Sequence, residues 1–462
     1  MNLGKKLKVF KVGLVLSLLW TVLTPSLVLA EDQGTSLDDF SSQLAAQLNL
    51  EVDQAAAMDQ ATGQALFRYQ DDNLHGIASL TKLLSLYVVY DAIKAGQLDF
   101  DTKIPVSEGV AELSRLPNLS NVPLDASTDY YTAGDLIDAT LIYSANSAIV
   151  ALAQYVAGDE ATFVEQMGDK LESLGITDYQ LYTASGLDGK YQTTNGDQYT
   201  SQDENQMRGI DLLRMTQHLL KDYPDILKRS AVSVKDFQVN PETTFRMVNF
   251  NEFLPGLAYG REDVLGLKTG TEDLAGACIL IVSRINDRPV LLLTLGASDN
   301  EARYRETNKL LNGLQDNLAW TLVHQKGEVF ASRDHVDVYQ GRQDQVDLLY
   351  QDNSAAFLPQ GIDWGQEKVE SYSDNWRYTP QGTLQVKAPL DPSQAVNQVT
   401  IHLPFLKDVE GQDMALTNAI VPSEEVESLS PIVRVTRRMS QLIESLVDQV
   451  EDWLDTQIAK TN

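Results

Sequence analysis

Three short motifs carry residue types able to do nucleophilic chemistry: Ser79-Leu80-Thr81-Lys82, Ser144-Ala145-Asn146 and Lys268-Thr269-Gly270. A serine hydroxyl is a weak nucleophile until a base takes its proton. Lys82 lies at i+3 from Ser79, so both point to one side of a helix. Ile77 to Ala95 reads as that helix, apolar on nearly every side through Leu80, Leu83, Leu84, Leu86, Val88, Val89 and Ile93, and ended by Gly96. A lysine is rarely buried without a purpose or a partner. Burial and a second ammonium both lower a lysine pKa, and Lys268 is the candidate for the second charge. Ser79 is therefore the expected nucleophile and Lys82 its base.

Lys268-Thr269-Gly270 ends the strand signal Val264–Thr269, followed by the polar Thr271-Glu272-Asp273. An edge strand there lines a groove that an extended peptide can join by strand addition. Lys268 and Thr269 would hold a terminal carboxylate, and Gly270 lets the backbone approach closely. The amides of Ser79 and Thr271 would form an oxyanion hole. Ser144 would relay a proton to a leaving amine, and Asn146 would orient a substrate amide. Taken singly, each motif has a plain structural reading: an exposed helix pair, a helix cap, a strand before a turn. Their occurrence together, in this order, promotes all three.

The elements that must position them follow from periodicity. Ala55–Gln60 and Gln64–Tyr69 flank Ala61-Thr62-Gly63 as a hairpin. Helical patterns run through Thr132–Thr140, Ser147–Ala157, Ala161–Leu174, Ile210–Leu220 and Arg303–Leu322. Ala277–Ile285 and Pro289–Gly296 read as strands joined around Asn286-Asp287. Strands at both ends with helices between predict an α+β or α/β sheet built from sequence-distant pieces, with a helical cluster beside it. After Leu322, alternation at Leu384, Val386 and Ala388 and at Val399, Ile401 and Leu403 predicts a small all-β domain serving as spacer or docking module. From Pro431, Val435, Met439, Leu442, Ile443, Leu446, Val450, Trp453, Leu454 and Ile458 share one helical face, with Glu444, Asp448, Asp452 and Asp455 on others. This amphipathic helix, opened by Arg434, Arg437 and Arg438, fits attachment to a membrane surface; the competing reading packs it on a protein partner.

The chain of 462 residues has room for two or three domains at about 150 residues each. Its formal net charge of -29 argues against a nucleic-acid partner. Lys5, Lys6, Lys8 and Lys11 precede an apolar run, Val12 to Leu23, too short to span a bilayer. Pro25, Val28 and Ala30 follow, completing a signal-peptide pattern over residues 1–30. The one cysteine, Cys278, sits in an apolar run and reads as a buried small hydrophobe. His75, His218, His324, His335 and His402 show no metal-ligand spacing.

The chain resembles the D-alanyl-D-alanine carboxypeptidase family of low-molecular-mass penicillin-binding proteins. The ordered Ser-x-x-Lys, Ser-x-Asn and Lys-Thr-Gly set is the first point of likeness. Met58-Asp59-Gln60-Ala61-Thr62-Gly63, Tyr131-Thr132-Ala133-Gly134-Asp135-Leu136, Ser185-Gly186-Leu187-Asp188 and Leu265-Gly266-Leu267 before the third motif extend it across roughly residues 50–320. Gly296-Ala297 followed by Arg303 resembles the segment whose arginine assists carboxylate binding. The resemblance implies a β-lactamase-like (transpeptidase-like) catalytic domain over residues 36–321, a β-rich domain over 322–425 and the amphipathic helix over 431–459. It implies an exported enzyme at the outer face of the membrane or in the cell wall. Ser79 would attack peptidoglycan stem peptides ending in D-Ala-D-Ala, release the terminal D-alanine through an acyl-enzyme, and be acylated by β-lactams. The resemblance implies no need for a metal or other cofactor, and the spacing of the histidines agrees. Two positions depart from the family's usual pattern. Ser147 stands where aspartate is common, and Glu272 where threonine is common. A β-lactamase would need a water-activating carboxylate, and no Glu-x-x-x-Asn pattern occurs in Thr177–Asn195. An endopeptidase that cuts peptide cross-links would use the same motifs, and a non-catalytic wall-binding protein could keep the same fold.

Overall fold

The computed structural model describes residues 36–125, 128, 130–330, 335–361, 368–370, 376–379 and 383–459; the signal-peptide pattern lies outside them. The first helix, α1 (Leu37–Leu48), starts where the Ser36 side chain accepts from the Asp39 amide. β1 (Gln54–Asp59) and β2 (Ala65–Tyr69) form the first hairpin. A run of helices follows: α2 (Thr81–Lys94), α3 (Ala133–Ile142), α4 (Asn146–Ala157), α5 (Glu160–Ser173) and α6 (Gly209–Asp222). β3 (Val264–Glu272), β4 (Gly276–Ile285) and β5 (Arg288–Ala297) then complete an antiparallel sheet ordered β3-β4-β5-β1-β2. The first strands of the chain thus pair with strands that come after the helices, giving the α+β architecture expected from the pattern. Asn286 and Asp287 carry φ of 49° and 62° between β4 and β5, the left-handed pair that a tight hairpin of type I′ requires.

β4 is buried from Ala277 to Ser283, because α7 (Asn300–Asn317) covers the sheet; Thr294 and Thr307 share a 2.8 Å hydrogen bond across that contact. α2 is buried almost all round, with Leu83, Leu84, Leu86 and Val89 fully inaccessible. Each such side chain contributes about 1.5–3 kcal/mol on burial. That apolar sheath fixes the helix from which the first motif projects.

Two helices differ from the sequence reading by three residues or more at an end. The α-helix begins at Thr81 and not at Ile77, because Ala78–Leu80 forms a tighter 3-10 turn. The helix expected over Arg303–Leu322 starts earlier, at Asn300, where the Asp299 carboxylate accepts from the Ala302 amide at 2.7 Å, and stops at Asn317. Leu318 to Leu322 belongs instead to β6 (Leu318–His324), paired antiparallel with Ser354–Pro359. Trp320, Thr321 and Val323 favour a pleated, half-covered strand over another helical turn.

Beyond β6, Asn397–Lys407 and Asp413–Pro422 form the longest hairpin, and Leu384–Lys387 lies in a second small sheet. Phe330, Tyr350, Trp376, Val386, Val399 and Ile420 fill the core of this part. It is fastened to the rest by the Gln64 side chain, which donates to Phe357 O at 2.7 Å and accepts from Phe357 N at 3.0 Å. Phe40 meets Phe405 edge to face, with centroids 5.3 Å apart. The last helix, α8 (Pro431–Ala459), leaves Val435, Met439, Leu442, Leu446, Val450 and Trp453 exposed.

Candidate active site

Ser79 lies in the 3-10 turn that leads into α2, and Lys82 in the first turn of α2 itself. Lys82 is fully inaccessible. Its Nζ is 2.8 Å from Ser79 Oγ, 2.7 Å from Asn146 Oδ1 and 2.6 Å from the Ser185 carbonyl oxygen. Two of these partners only accept: the carbonyl of Ser185, and Asn146 Oδ1, whose amide nitrogen is turned to donate to Ser120 O at 3.0 Å. Ser79 alone of the three can also donate. A neutral Lys82 therefore gives its two N–H groups to Asn146 and Ser185 and has its lone pair left for the Ser79 proton. Burial lowers the Lys82 pKa to about 7, against the opposing pull of the Glu272 carboxylate. Near neutral pH the amine thus has both the orientation and the proton affinity of a base for Ser79.

The second motif occupies the turn between α3 and α4. Ser144 is buried and takes a left-handed φ of 56°, a strained conformation for serine. Asn146 opens α4, with its backbone N–H also bonded to Ser120 O at 2.9 Å. The third motif lies in β3, the edge strand of the sheet, and the strand continues past it to Glu272. A Cβ on Gly270 would sit 3.0 Å from Ser79 N and 3.1 Å from Ile77 O, so a side chain here would push β3 off the turn that carries Ser79. Lys268 is buried beneath the strand, donating to Thr269 O at 2.8 Å. Burial, the Lys82 ammonium and Arg303 hold its pKa well below the ordinary lysine value. Arg303, on α7, donates to Gly270 O at 2.9 Å and to Thr271 Oγ1 at 3.0 Å, bracing the end of β3.

These residues meet at one cleft of about 500 Å³, lined by Ser79, Ser144, Asn146, Thr269, Gly270, Thr271 and Arg303, with Glu272 and Tyr304 on its wall. Lys82 and Lys268 lie beneath the lining. Sequence reading missed several members. Ser185 contributes a backbone carbonyl, which no side-chain identity announces. Ser120 holds Asn146 from a loop with no motif. Glu160 is buried, with its carboxylate accepting from Ala184 N (3.1 Å), Thr193 N (2.7 Å) and Thr193 Oγ1 (2.7 Å); it ties down the segment that presents Ser185. Glu272 stood out in the sequence only as a departure from a family pattern.

Residues 41–299 match the family described as D-alanyl-D-alanine carboxypeptidase. The chain is 24% identical over 323 residues to D-alanyl-D-alanine carboxypeptidase DacF of Bacillus subtilis, covering 69% of this chain and 76% of that protein. It is 30% identical over 258 residues to DacC of Escherichia coli, covering 55% and 58%. The fold is similar to that of a peptidoglycan synthesis regulatory factor (PBP3) from Streptococcus pneumoniae, with a TM-score of 0.64 at 24% identity over 81% of this chain and 99% of the other. Penicillin-binding protein 5 of Haemophilus influenzae gives a TM-score of 0.56 at 22% identity over 82% and 98%. The match spans more than half of the sequence and contains all three motifs of the cleft, and the chain belongs to the D-alanyl-D-alanine carboxypeptidase family of serine-type penicillin-binding hydrolases.

Proposed function

We propose that Ser79 is the nucleophile that removes the terminal D-alanine from peptidoglycan stem peptides ending in D-Ala-D-Ala. The observation that carries this reading is the three-way hydrogen bonding of Lys82, which leaves its lone pair for Ser79 alone. Lys82 takes the Ser79 proton as Oγ bonds to the carbonyl carbon of the penultimate residue. The amides of Ser79 and Thr271 receive the oxyanion. Lys82 gives that proton to Ser144, which relays it to the leaving amine as the C–N bond breaks, and D-alanine departs. Water then cleaves the Ser79 ester and restores the hydroxyl. Asn146 holds the substrate amide, while Lys268, Thr269 and Arg303 bind the carboxylate of the departing residue. Gly270 keeps the strand close enough for this pairing. β-Lactams acylate the same oxygen.

Release of free D-alanine from a D-Ala-D-Ala peptide, compared between the parent and Ser79→Ala, tests this. Loss of release and of β-lactam labelling together in the variant is the expected result. Unchanged release in the variant would overturn the assignment. Labelling without release in the parent would favour an endopeptidase.

The reading extends to location. Residues 1–30 act as an export signal, the catalytic body spans 36–321, and the β-rich part (322–425) is a spacer that sets its distance from α8. Among the described residues no helix is long and apolar enough to cross a membrane. The exposed apolar face of α8 supports shallow insertion at a membrane surface instead. Removing residues 431–462 should abolish co-sedimentation with lipid vesicles and leave D-alanine release from a soluble peptide unchanged; equal sedimentation of both forms would sink the anchor.

A further inference from the structure

Hydrolysis of an acyl-enzyme needs a water that has lost a proton, and a carboxylate beside the ester is one group able to take it. The strand β3 places one. Along a strand alternate residues share a face, so Lys268, Gly270 and Glu272 point the same way. That face meets the nucleophile: a Cβ on Gly270 would lie 3.0 Å from Ser79 N. Glu272 follows two residues on, about 7 Å along the strand, and lines the cleft together with Ser79, Ser144 and Asn146. Its carboxylate takes no hydrogen bond from the described residues, unlike Glu160, whose oxygens are both occupied. Glu272 therefore has no visible structural task among the described residues.

We propose that Glu272 is a further catalytic residue, the general base for water in the second half-reaction, and that it gives this protein turnover of β-lactams in addition to its peptidase activity. Glu272 removes one proton from water as the water oxygen bonds to the ester carbonyl carbon. The tetrahedral adduct collapses with cleavage of the bond to Ser79 Oγ, which recovers a proton from Glu272 by way of the Lys82 amine. The acyl product leaves as a carboxylic acid, and Glu272 is again a carboxylate. No other reactant is needed.

The surroundings poise Glu272 for this. Burial, with Asp188, Asp273 and Glu204 nearby, raises its pKa to about 7, opposed by the Lys82 ammonium. Lys190 faces the same group of acids and pairs with Asp188 at 3.1 Å. A carboxylate that ionises near 7 is a stronger base than an ordinary glutamate, and about half of it is charged at neutral pH. Deacylation should therefore rise with pH through about 7 and fall below it.

The inference rests on Ser79 forming an acyl-enzyme. The test measures acylation by a fluorescent penicillin and decay of the isolated adduct separately, from pH 5 to 9, in the parent, Glu272→Gln, Glu272→Thr and Glu272→Asp. The expected result is decay about 10–100-fold slower in the Gln and Thr variants, with its pH dependence near 7 lost, and with acylation on its high-pH plateau within about 3-fold of the parent although its profile shifts to lower pH as Lys82 loses the Glu272 charge. Glu272→Asp, which keeps the carboxylate, should retain that dependence. Decay in Glu272→Gln equal to the parent's overturns the proposal, as does a parallel fall in acylation and decay, which signals a shared structural fault. A parent that takes no label at all overturns the acyl-enzyme reading itself, a separate failure.

Discussion

Lys82→Ala should lower the rate at which a β-lactam acylates Ser79 by about 10²–10⁴-fold, the usual cost of losing a positioned general base. The reason lies in the count of donors and acceptors. Asn146 Oδ1 and Ser185 O each take one N–H of Lys82, and neither has a proton to return. When Lys82 is protonated, its third N–H points at Ser79 Oγ, and the serine keeps its own proton. When Lys82 is neutral, the same 2.8 Å contact runs the other way, with Ser79 donating. With a Lys82 pKa of about 7, parent acylation should therefore climb as pH rises through 7 and be suppressed below it. The variant should lose both the rate and that pH dependence. Removing the amine also leaves two buried acceptors unpaired, at about 1–3 kcal/mol each. Its thermal midpoint should be read separately, so that loss of fold is not taken for loss of chemistry. Acylation of Lys82→Ala as fast as the parent would show that another group removes the proton.

What the sequence revealed, and what it hid, divides by whether side-chain identity was the carrier. The meeting of Ser79, Lys82 and Asn146 was legible because it is made by side-chain atoms of residue types that stand out in three ordered motifs. The sheet was legible too, because the short apolar runs of β4 and β5 and the Asn286-Asp287 turn are local signals. The Ser185 carbonyl was not: every residue has one, and only the course of the backbone brings this one to Lys82. Ser120 was hidden for the same reason, since it acts through its carbonyl from a loop. β6 was misread because Leu318 to Leu322 continues the apolar spacing of α7, while its pairing partner, Ser354–Pro359, lies further along the chain. Glu272 was visible as an oddity of sequence, but its place on the cleft wall depended on β3 running past the third motif instead of turning there.

The second large effect is expected at a residue with no reactive group. Gly186→Ala should cut acylation of Ser79 by at least about 100-fold, the scale associated with ångström-level misplacement of reacting groups. Gly186 follows the Ser185 carbonyl and has φ of 77°. A Cβ there would lie 2.0 Å from Ala78 O, 2.6 Å from Ala78 C and 2.8 Å from Thr81 Oγ1. The first two are backbone atoms, so no rotamer change relieves the contact. Either the turn at Ala78–Leu80 moves and carries Ser79 with it, or residues 185–187 retreat and withdraw the carbonyl from Lys82. Both routes break the Ser79–Lys82–Ser185 chain, on top of the roughly 1–2 kcal/mol that alanine incurs in a left-handed conformation. Gly175→Ala separates the two causes. Gly175 has φ of 75° but nothing within 4 Å of its Cβ position, so it carries the conformational strain without the collision. The expected pattern is a lowered thermal midpoint in both variants and a collapse of acylation in Gly186→Ala alone. Equal acylation in Gly186→Ala and the parent would mean that the nucleophile's turn tolerates a displacement the packing does not allow, and the close approach of the two backbones would have no part in setting the Ser79–Lys82 geometry.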